Sequence, residues 1–294
     1  MRELPERLSA LPEPAATEHR AWRSRQLAIL RQVRVFVGGA NRRRAVERLD
    51  ALEAEILEVT TLLAKAHGTP DLGNKKDPVD ELVYITLSRR TREGAYKAAY
   101  EVLRRRFSSW DAVAAAPLAE IEDAVAFSGL GTRKAQSLKF ALGDLIERFG
   151  TCTLEPTRSW SDDELAGFLC TLPEVGPKSA ACIMMCSLDR PAFPVDAHVG
   201  RVLMRLGTFQ PLGIELTGTD HKAKQTLLWD AVPPSLRYPL HVNALVHGRV
   251  VCLPRRPRCR RCDLSSRCAF ASGARGGLRR KRRGLAARSS RPAK

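Results

Sequence analysis

The segment at residues 251–270, VCLPRRPRCRRCDLSSRCAF, restricts the possible folds of this chain more than any other part of the sequence. It holds four of the eight cysteines, in the spacing C-x6-C-x2-C-x5-C. The first thirty residues mix charges and prolines without a long apolar run, so we expect neither a secretion signal nor a membrane span. In the reducing compartment that this implies, closely spaced cysteines are typical of a metal centre rather than of disulfides.

Three interpretations of this cysteine segment remain open. Structural zinc sites typically combine two short-spaced pairs with a long loop between them, whereas this segment has one C-x2-C pair and two unequal arms. An iron–sulfur cluster held by all four thiolates fits the spacing better, and zinc or unligated thiols are the alternatives. The ligands would be Cys252, Cys259, Cys262 and Cys268. The other cysteines, at positions 152, 170, 182 and 186, lie in apolar helical patterns and are predicted to be core residues.

Positive charge is concentrated near the C-terminal end. Residues 252–294 hold 15 lysines and arginines against one acid, in a chain whose formal net charge is +17. Such a concentration predicts binding to a polyanion, most often a nucleic acid, and the segment lacks the apolar face that a membrane-surface helix needs. A solubilising tail is the alternative for residues 271–294. A metal centre in the cysteine segment would present its arginines to phosphate groups.

Apolar residues recur at helical spacing along most of the chain. Within residues 41–67 they form one stripe, which predicts a helix packed on the protein's own core, with the seam of a coiled-coil dimer as the alternative. The stripe is Leu49, Leu52, Ile56, Val59 and Leu63. Similar periodicity runs through Val79–Phe107, Pro117–Val125, Lys134–Phe149 and Asp162–Leu172. Because extended alternating runs are scarce, we predict an all-α fold. Residues 1–20 look irregular, and the chain beyond Phe270 is predicted to be disordered.

The segment FLCTLPEVGPKSAACIMMCSL, residues 168–188, is typical of a helix–hairpin–helix. Pro173 and Gly176 end one helix in a tight turn, and Pro177 suits the first turn of the next. The backbone N–H groups of such a turn bind phosphate without reading base sequence. Lys178 falls in the first helical turn, where the helix dipole and burial in a cleft both favour the neutral, nucleophilic amine. A surface lysine that contacts phosphate is the alternative.

A carboxylate follows this lysine eighteen residues later, in AFPVDAHVGRV (residues 192–202). Asp196 lies where it can cap the next helix. A carboxylate in the same cleft as Lys178 could also stabilise positive charge that develops at the anomeric carbon of a sugar, as in the cleavage of an N-glycosidic bond.

Four motifs in order, LPEVGPKSA, VDAHVGRV, HGRVVC and the complete cysteine spacing, resemble the endonuclease III family of helix–hairpin–helix DNA glycosylases over roughly residues 77–270. The resemblance implies a six-helix barrel domain with the hairpin at residues 77–190 and a [4Fe-4S] cluster domain at residues 191–270. N-terminal helices at residues 21–76 would pack with the cluster domain, and residues 271–294 would form a basic tail. Lys178 would be the Schiff-base nucleophile and Asp196 the catalytic carboxylate.

The resemblance also implies residues that contact DNA. Arg90, in ITLSRRTREG, and Leu130, in FSGLGTRKA, match positions that the family inserts into the duplex when the target base leaves the stack. A phosphate-binding arginine and a core leucine are the alternatives. The further expected DNA contacts are Val175, Gly176, His198 and Arg201. Glu174 replaces the first glycine of the family's hairpin, which adds a negative charge and removes a residue free to take positive φ.

By this resemblance we expect a bifunctional DNA glycosylase and AP lyase that acts on damaged pyrimidines. Its partner would be double-stranded DNA with a damaged base or an abasic site, and it would be a monomer in the cytoplasm, associated with the nucleoid and not with a membrane. One alternative is a mismatch glycosylase that removes thymine or uracil opposite guanine, because the RRT run resembles that branch, although the branch usually has tyrosine in place of Lys178. FPVDAHVGR is similar to a block of the plant 5-methylcytosine glycosylases. A non-catalytic DNA-binding iron–sulfur sensor is the remaining alternative.

Overall fold

The protein is described by a computed structural model that covers residues 15–33, 42–210 and 228–273. Every regular element in these ranges is helical, and none of them is a strand, so the predicted all-α fold is confirmed. The eleven α-helices that follow are numbered in chain order. They are α1 (Ala15–Val33), α2 (Arg42–His67), α3 (Pro78–Ser88), α4 (Glu93–Arg106), α5 (Trp110–Ala115), α6 (Leu118–Val125), α7 (Gly131–Phe149), α8 (Asp162–Leu169), α9 (Pro177–Ser187), α10 (Ala197–Leu206) and α11 (Pro234–Val250).

Two predictions concern the ends of the chain: an irregular N-terminal segment and a disordered C-terminal tail. Helix α1 begins at Ala15, so the prediction of irregular structure is wrong for residues 15–20. The sequence AATEHRAW contains no proline or glycine that would stop a helix there. The predicted disordered tail lies almost entirely outside the described residues, which end at residue 273.

The chain divides into two compact units. Unit 1 comprises Met1–Pro70 and Val195–Lys294, and unit 2 comprises Asp71–Pro194. The helices of unit 1 are α1, α2, α10 and α11, and α11 packs against the other three. All five residues of the predicted stripe on α2 are completely buried, which confirms that this helix packs on the protein's own core. None of the helices in the described ranges is long and apolar enough to cross a bilayer.

Unit 2 holds α3 to α9, and its helix starts follow from local chemistry. Asp77 caps α3 by accepting hydrogen bonds from the backbone N–H groups of Val79 and Asp80, both at 2.9 Å. Ser161 and Glu164 form a capping box at the start of α8. The periodicity predicted through Val79–Phe107 is interrupted, because the backbone turns between α3 and α4. The core prediction for cysteines is correct for Cys182 but wrong for Cys170, which is exposed at the end of α8.

Candidate functional site

Helices α8 and α9 and the turn between them form the predicted helix–hairpin–helix. The backbone N–H of Val175 donates to the carbonyl of Leu172 at 3.0 Å, which closes the turn. Gly176 is exposed and is the N-cap of α9, with Pro177 at the first helical position. The side chain of Val175 is buried, so this residue can offer a ligand only its backbone.

Lys178 is the second residue of α9 and is half-buried. Two groups of unit 2 interact with it electrostatically, the carboxylate of Glu81 and the thiol of Cys186. The lysine therefore lies at the N-terminus of a helix, where the dipole favours a neutral amine, and near a buried acid, which favours the ammonium when it is ionised.

Glu81 is a buried acid that the sequence did not single out. It lies on α3 with no exposed surface, and burial raises the pKa of its carboxyl group. Four interactions oppose that rise. The backbone N–H of Lys75 donates to Oε2 at 2.7 Å and the amide of Asn74 donates to Oε1, and the ammonium groups of Lys178 and Lys75 act through their charges. The sequence signal was weak: two adjacent acids, Asp80 and Glu81, in a helix whose other residues are mostly apolar.

The hairpin turn is held to two other elements by Glu174. This residue has a φ of 64°, in the left-handed region that favours glycine. Its carboxylate binds Arg133 and Arg89, with N to O distances of 2.5 Å for both pairs, and its carbonyl accepts from Arg89 at 3.1 Å. Hydrogen bonds from Arg133 and Arg89 hold the pKa of this carboxyl below its usual range. The negative charge that the sequence placed in the hairpin is therefore neutralised by two cations.

Arg90 and Leu130, the two predicted inserting residues, line one cavity of unit 2 together with Arg89, Arg133 and Lys134. Both have positive φ, 50° for Arg90 and 54° for Leu130. Leu130 is 51% exposed, so its alternative interpretation as a core leucine is wrong. The structure thus brings the two predicted residues together at strained positions of a cationic cavity.

Asp196 is the N-cap of α10, in unit 1. Its Oδ1 accepts from the backbone N–H groups of His198 and Val199, both at 2.8 Å. This cap is the structural role that the sequence predicted, and it leaves Oδ2 outside the cap interaction. The carboxylate is half-buried.

Arg201, one turn further along α10, makes bonds within unit 1. Its guanidinium donates to three backbone carbonyls, those of Ala197 at 3.1 Å, Gly248 at 2.8 Å and Cys252 at 2.9 Å. It also contacts Nδ1 of His198 at 3.0 Å. These bonds fasten α10 to the start of the cysteine segment. A role for His198 and Arg201 in binding DNA stays a prediction.

The four cysteines of the C-terminal segment surround one cavity of unit 1, together with apolar residues of α10 and with His247. Among the residues that the structure describes, no three potential ligands converge closely enough to hold a single metal ion. A zinc ion would require all four sulfurs about 2.3 Å from one point. A [4Fe-4S] cluster takes one cysteine on each iron, so its four thiolates lie further apart than those around a zinc ion.

Three side chains outside the segment hold the sulfurs in place, and the sequence singled out none of them for this role. Arg205 donates to Sγ of Cys252 at 3.4 Å and to two carbonyls of the segment, at 2.7 and 2.8 Å. Nε2 of His247 lies 3.5 Å from Sγ of Cys262, and Nδ1 lies 3.0 Å from Nε2 of His67. Burial, with a smaller contribution from His67, lowers the pKa of His247 to about 4.

Five arginines of the cysteine segment are exposed. They are Arg255, Arg256, Arg258, Arg260 and Arg261. Arg267 differs, because it forms ion pairs with Glu55 and Glu58 of α2 at 2.5 and 3.0 Å. The segment therefore has a cationic surface, and Arg267 links it to α2 through two ion pairs.

No protein-family model matches the chain. DEMETER-like protein 2 of Arabidopsis thaliana is 30% identical over 183 residues, which cover 58% of this chain and 14% of that protein. The DNA glycosylase/AP lyase ROS1 of the same plant is 29% identical over 179 residues, or 55% of this chain and 13% of that protein. The chain therefore spans only a small part of these two plant relatives. Endonuclease III of Thermotoga maritima is 28% identical over 194 residues, which cover 66% of this chain and 84% of that protein.

Solved structures show the same fold. A trapped covalent intermediate of endonuclease III with DNA superposes with a TM-score of 0.63 at 24% identity and covers 76% of this chain and 98% of that chain. A thermostable thymine-DNA glycosylase superposes with a TM-score of 0.62 at 22% identity and covers 76% of this chain and 97% of that chain. The chain is therefore similar in sequence to endonuclease III and to plant DNA glycosylases and shares the fold of endonuclease III, and its predicted resemblance to the endonuclease III family is confirmed.

Proposed function

We propose that this protein is a base-excision DNA glycosylase and AP lyase that acts on damaged pyrimidines in duplex DNA. The observation that carries the proposal is the place of Lys178, half-buried in the first turn of the hairpin's second helix and in electrostatic contact with the buried carboxylate of Glu81. A lysine needed only for phosphate binding would not require a buried acid near it. The names of the relatives, which include a DNA glycosylase/AP lyase, support the same activity.

In the proposed reaction the neutral amine of Lys178 attacks C1′ of the target nucleotide. The bond between C1′ and the base breaks, and the base leaves with the bonding electron pair and takes up a proton. The sugar ring then opens to a protonated imine as O4′ gains a proton. The imine acidifies the protons at C2′, and loss of one of them expels the 3′ phosphate by β-elimination, after which water hydrolyses the imine and frees the lysine.

Asp196 would stabilise the positive charge that develops at C1′ as the base departs. Its Oδ1 is occupied by the cap of α10, so this charge stabilisation is assigned to Oδ2. The half-buried position of the carboxylate supports the role, because charge stabilisation is stronger where water is partly excluded.

We propose two surfaces for DNA. Arg90 and Leu130 would occupy the step that the flipped base leaves, and their strained, outward-directed positions support this role. The backbone at Val175 and Gly176 would bind a phosphate, as would the exposed arginines of the cysteine segment.

We propose that Cys252, Cys259, Cys262 and Cys268 hold a [4Fe-4S] cluster. The four cysteines line one cavity, and their spacing, with a single C-x2-C pair, supports a cluster over zinc. When bound, the cluster would hold the segment folded so that its arginines face the phosphate backbone. A purified protein that contains one zinc and no iron per chain would contradict this assignment.

Borohydride trapping on a duplex with an abasic site tests the lyase. The parent should give a covalent protein–DNA adduct, and Lys178→Gln should give none while it still binds the duplex. Lys76→Gln is the matched control, because Lys76 is an exposed lysine of the same unit with no role in the proposal. An adduct from Lys178→Gln equal to that of the parent would show that Lys178 is not the nucleophile.

A mismatch glycosylase is the second candidate, because a thermostable thymine-DNA glycosylase superposes on this chain as well as endonuclease III does and covers the same share of it, 76%. Single-turnover rates on a thymine-glycol duplex and on a T·G duplex separate the two substrates. Faster excision from the T·G duplex, with no strand cleavage, would favour the second candidate and contradict the role of Lys178.

A further inference from the structure

Two histidines from distant parts of the chain form a hydrogen-bonded pair next to the cysteine cavity. His67 is the last residue of α2, and His247 lies in the last turn of α11. Their rings meet edge to face, with centroids 5.2 Å apart and Nε2 of His67 3.0 Å from Nδ1 of His247. The second nitrogen of His247 lies 3.5 Å from Sγ of Cys262. His247 is 4% exposed, so its ring is fixed by these neighbours.

The direction of both hydrogen bonds follows from the chemistry of the sulfur. A metal-bound thiolate can only accept a hydrogen bond, so Nε2 of His247 must carry the proton that points to Cys262. The neutral ring then has its lone pair at Nδ1, and Nε2 of His67 must be the donor to it. The acid whose charge acts on both rings is Asp263.

We propose that His67 is a positioning residue that fixes the tautomer of His247 and thereby an N–H···S hydrogen bond to Cys262. The proposal rests on the cluster assigned above. A hydrogen bond to a ligand sulfur stabilises the more negative, reduced state, so hydrogen bonds to the sulfurs are among the features that set the reduction potential of a cluster. His67 would therefore raise the potential without contacting a cysteine.

Two features distinguish the histidine pair from the rest of the cluster site. His67 belongs to an N-terminal helix outside residues 77–270, over which the sequence motifs match the family. Among the described residues, the side chain of Arg205 also donates a hydrogen bond to a ligand sulfur, that of Cys252, but it is held in a different way. Arg205 is fixed by backbone carbonyls of the segment itself, and not by a second side chain whose proton can move.

The reduction potential of the iron-loaded protein, measured by protein-film voltammetry, tests the proposal. His67→Phe keeps a ring of similar size but removes the donor, so the potential should fall. His247→Phe should lower the reduction potential at least as much. The double variant should have the potential of His247→Phe, because both substitutions act on the same hydrogen bond to Cys262. His67→Gln has an amide donor and should keep the potential of the parent. Lys65→Gln, an exposed change on the same helix, should leave it unchanged.

The possible results separate the two proposals. A parent without iron would contradict the cluster itself. An iron-loaded parent whose potential equals that of His67→Phe would contradict only the role of His67, as would a double variant in which the two shifts add. If His67→Phe does not assemble a cluster, His67→Gln decides: a cluster with the potential of the parent supports the proposal, and loss of the cluster overturns it, because an amide donor should suffice.

Discussion

At the scale of single residues, the cationic cavity of unit 2 combines strain, exposure and charge. Arg90 and Leu130, which line the cavity, and Glu174, which binds two of its arginines, all adopt left-handed backbone conformations. Such conformations cost a residue other than glycine about 1–2 kcal/mol each. Leu130 is also a large apolar side chain exposed to solvent. Strain of this kind persists where the surrounding structure enforces it and concentrates at functional positions. The three residues are therefore expected to affect stability and function in opposite directions.

Leu130→Asn should separate these two effects. Asparagine tolerates the left-handed region better than leucine, so the free energy of unfolding should rise by about 1 kcal/mol. The apolar insertion into the opened base step would be lost, and the single-turnover rate of base excision should fall at least about tenfold, equal to roughly 1.4 kcal/mol. Urea denaturation and single-turnover kinetics measure the two quantities. An unchanged excision rate would remove Leu130 from the DNA interface.

Lys134 gives the same cavity a pH dependence. The residue is 4% exposed, and its amine donates to the carbonyl of Ser128 at 2.7 Å and to the hydroxyl of Thr91. Burial, and then the charge of Arg89, lower its pKa from 10.5 to about 8. Between these two values the unfolded chain binds a proton that the folded protein has released, so stability should increase as pH rises from about 8 to 10.5.

The difference between the parent and Lys134→Met isolates this titration from those of other lysines and tyrosines. Unfolding free energies measured at pH 8 and pH 10.5 should differ more for the parent, by up to about 3 kcal/mol for a shift of this size. An equal pH dependence of the two proteins would mean that folding does not lower the pKa of Lys134.

At the scale of elements, the hairpin is fastened to α3 and α7 through one carboxylate. Glu174 binds Arg89 at the end of α3 and Arg133 in the first turn of α7. A glycine would fit the backbone of the turn better but would leave both arginines without this partner. Glutamate at position 174, where the family has glycine, therefore strains the backbone of the turn but fixes the positions of two arginines.

Glu174→Gly should release both arginines for contact with phosphate. The affinity for undamaged duplex DNA should rise, and the slope of log K against log[salt] should become steeper by up to about 2, because each additional phosphate contact contributes roughly 0.9. Glu155→Gln is a control, since Glu155 also pairs with an arginine, Arg158, but on an exposed surface away from the hairpin. A weaker salt dependence in Glu174→Gly would show that the carboxylate orients the arginines toward DNA and does not hold them back.

The elements that the sequence predicted correctly are those encoded locally. The stripe on α2, the proline and glycine signals of the hairpin and the cap at Asp196 each depend on residues a few positions apart. Glu81, Arg205 and His67 were missed because their roles arise from partners far away in the sequence. The exposure of Leu130 was expected only from the resemblance, because apolar residues are usually buried and no local pattern marks this one as exposed.

At the scale of the whole molecule, the formal charge of +17 is dominated by one end of the chain. Residues 274–294 carry nine lysines and arginines and no acid, and they lie outside the described part of the structure. Removing them should weaken binding to duplex DNA and flatten its salt dependence, while the single-turnover rate at saturating protein stays unchanged. Fluorescence anisotropy titrations at several salt concentrations measure the slope. A truncated protein with the slope of the full chain would assign the tail to solubility alone.

Unit 1 is assembled from both ends of the chain, and this has a consequence for synthesis on the ribosome. The indole of Trp22 in α1 donates to the carbonyl of Asp230, a partner 208 positions later. At a translation rate of 5–20 residues per second, roughly 10–40 s separate the two. Unit 2 lies wholly between them in the sequence and is complete before the residues of α11 have been made. The apolar stripe of α2 therefore stays exposed until its main partner, α11, has been synthesised. During this time the N-terminal helices are the part of the nascent chain most open to aggregation and to binding by chaperones.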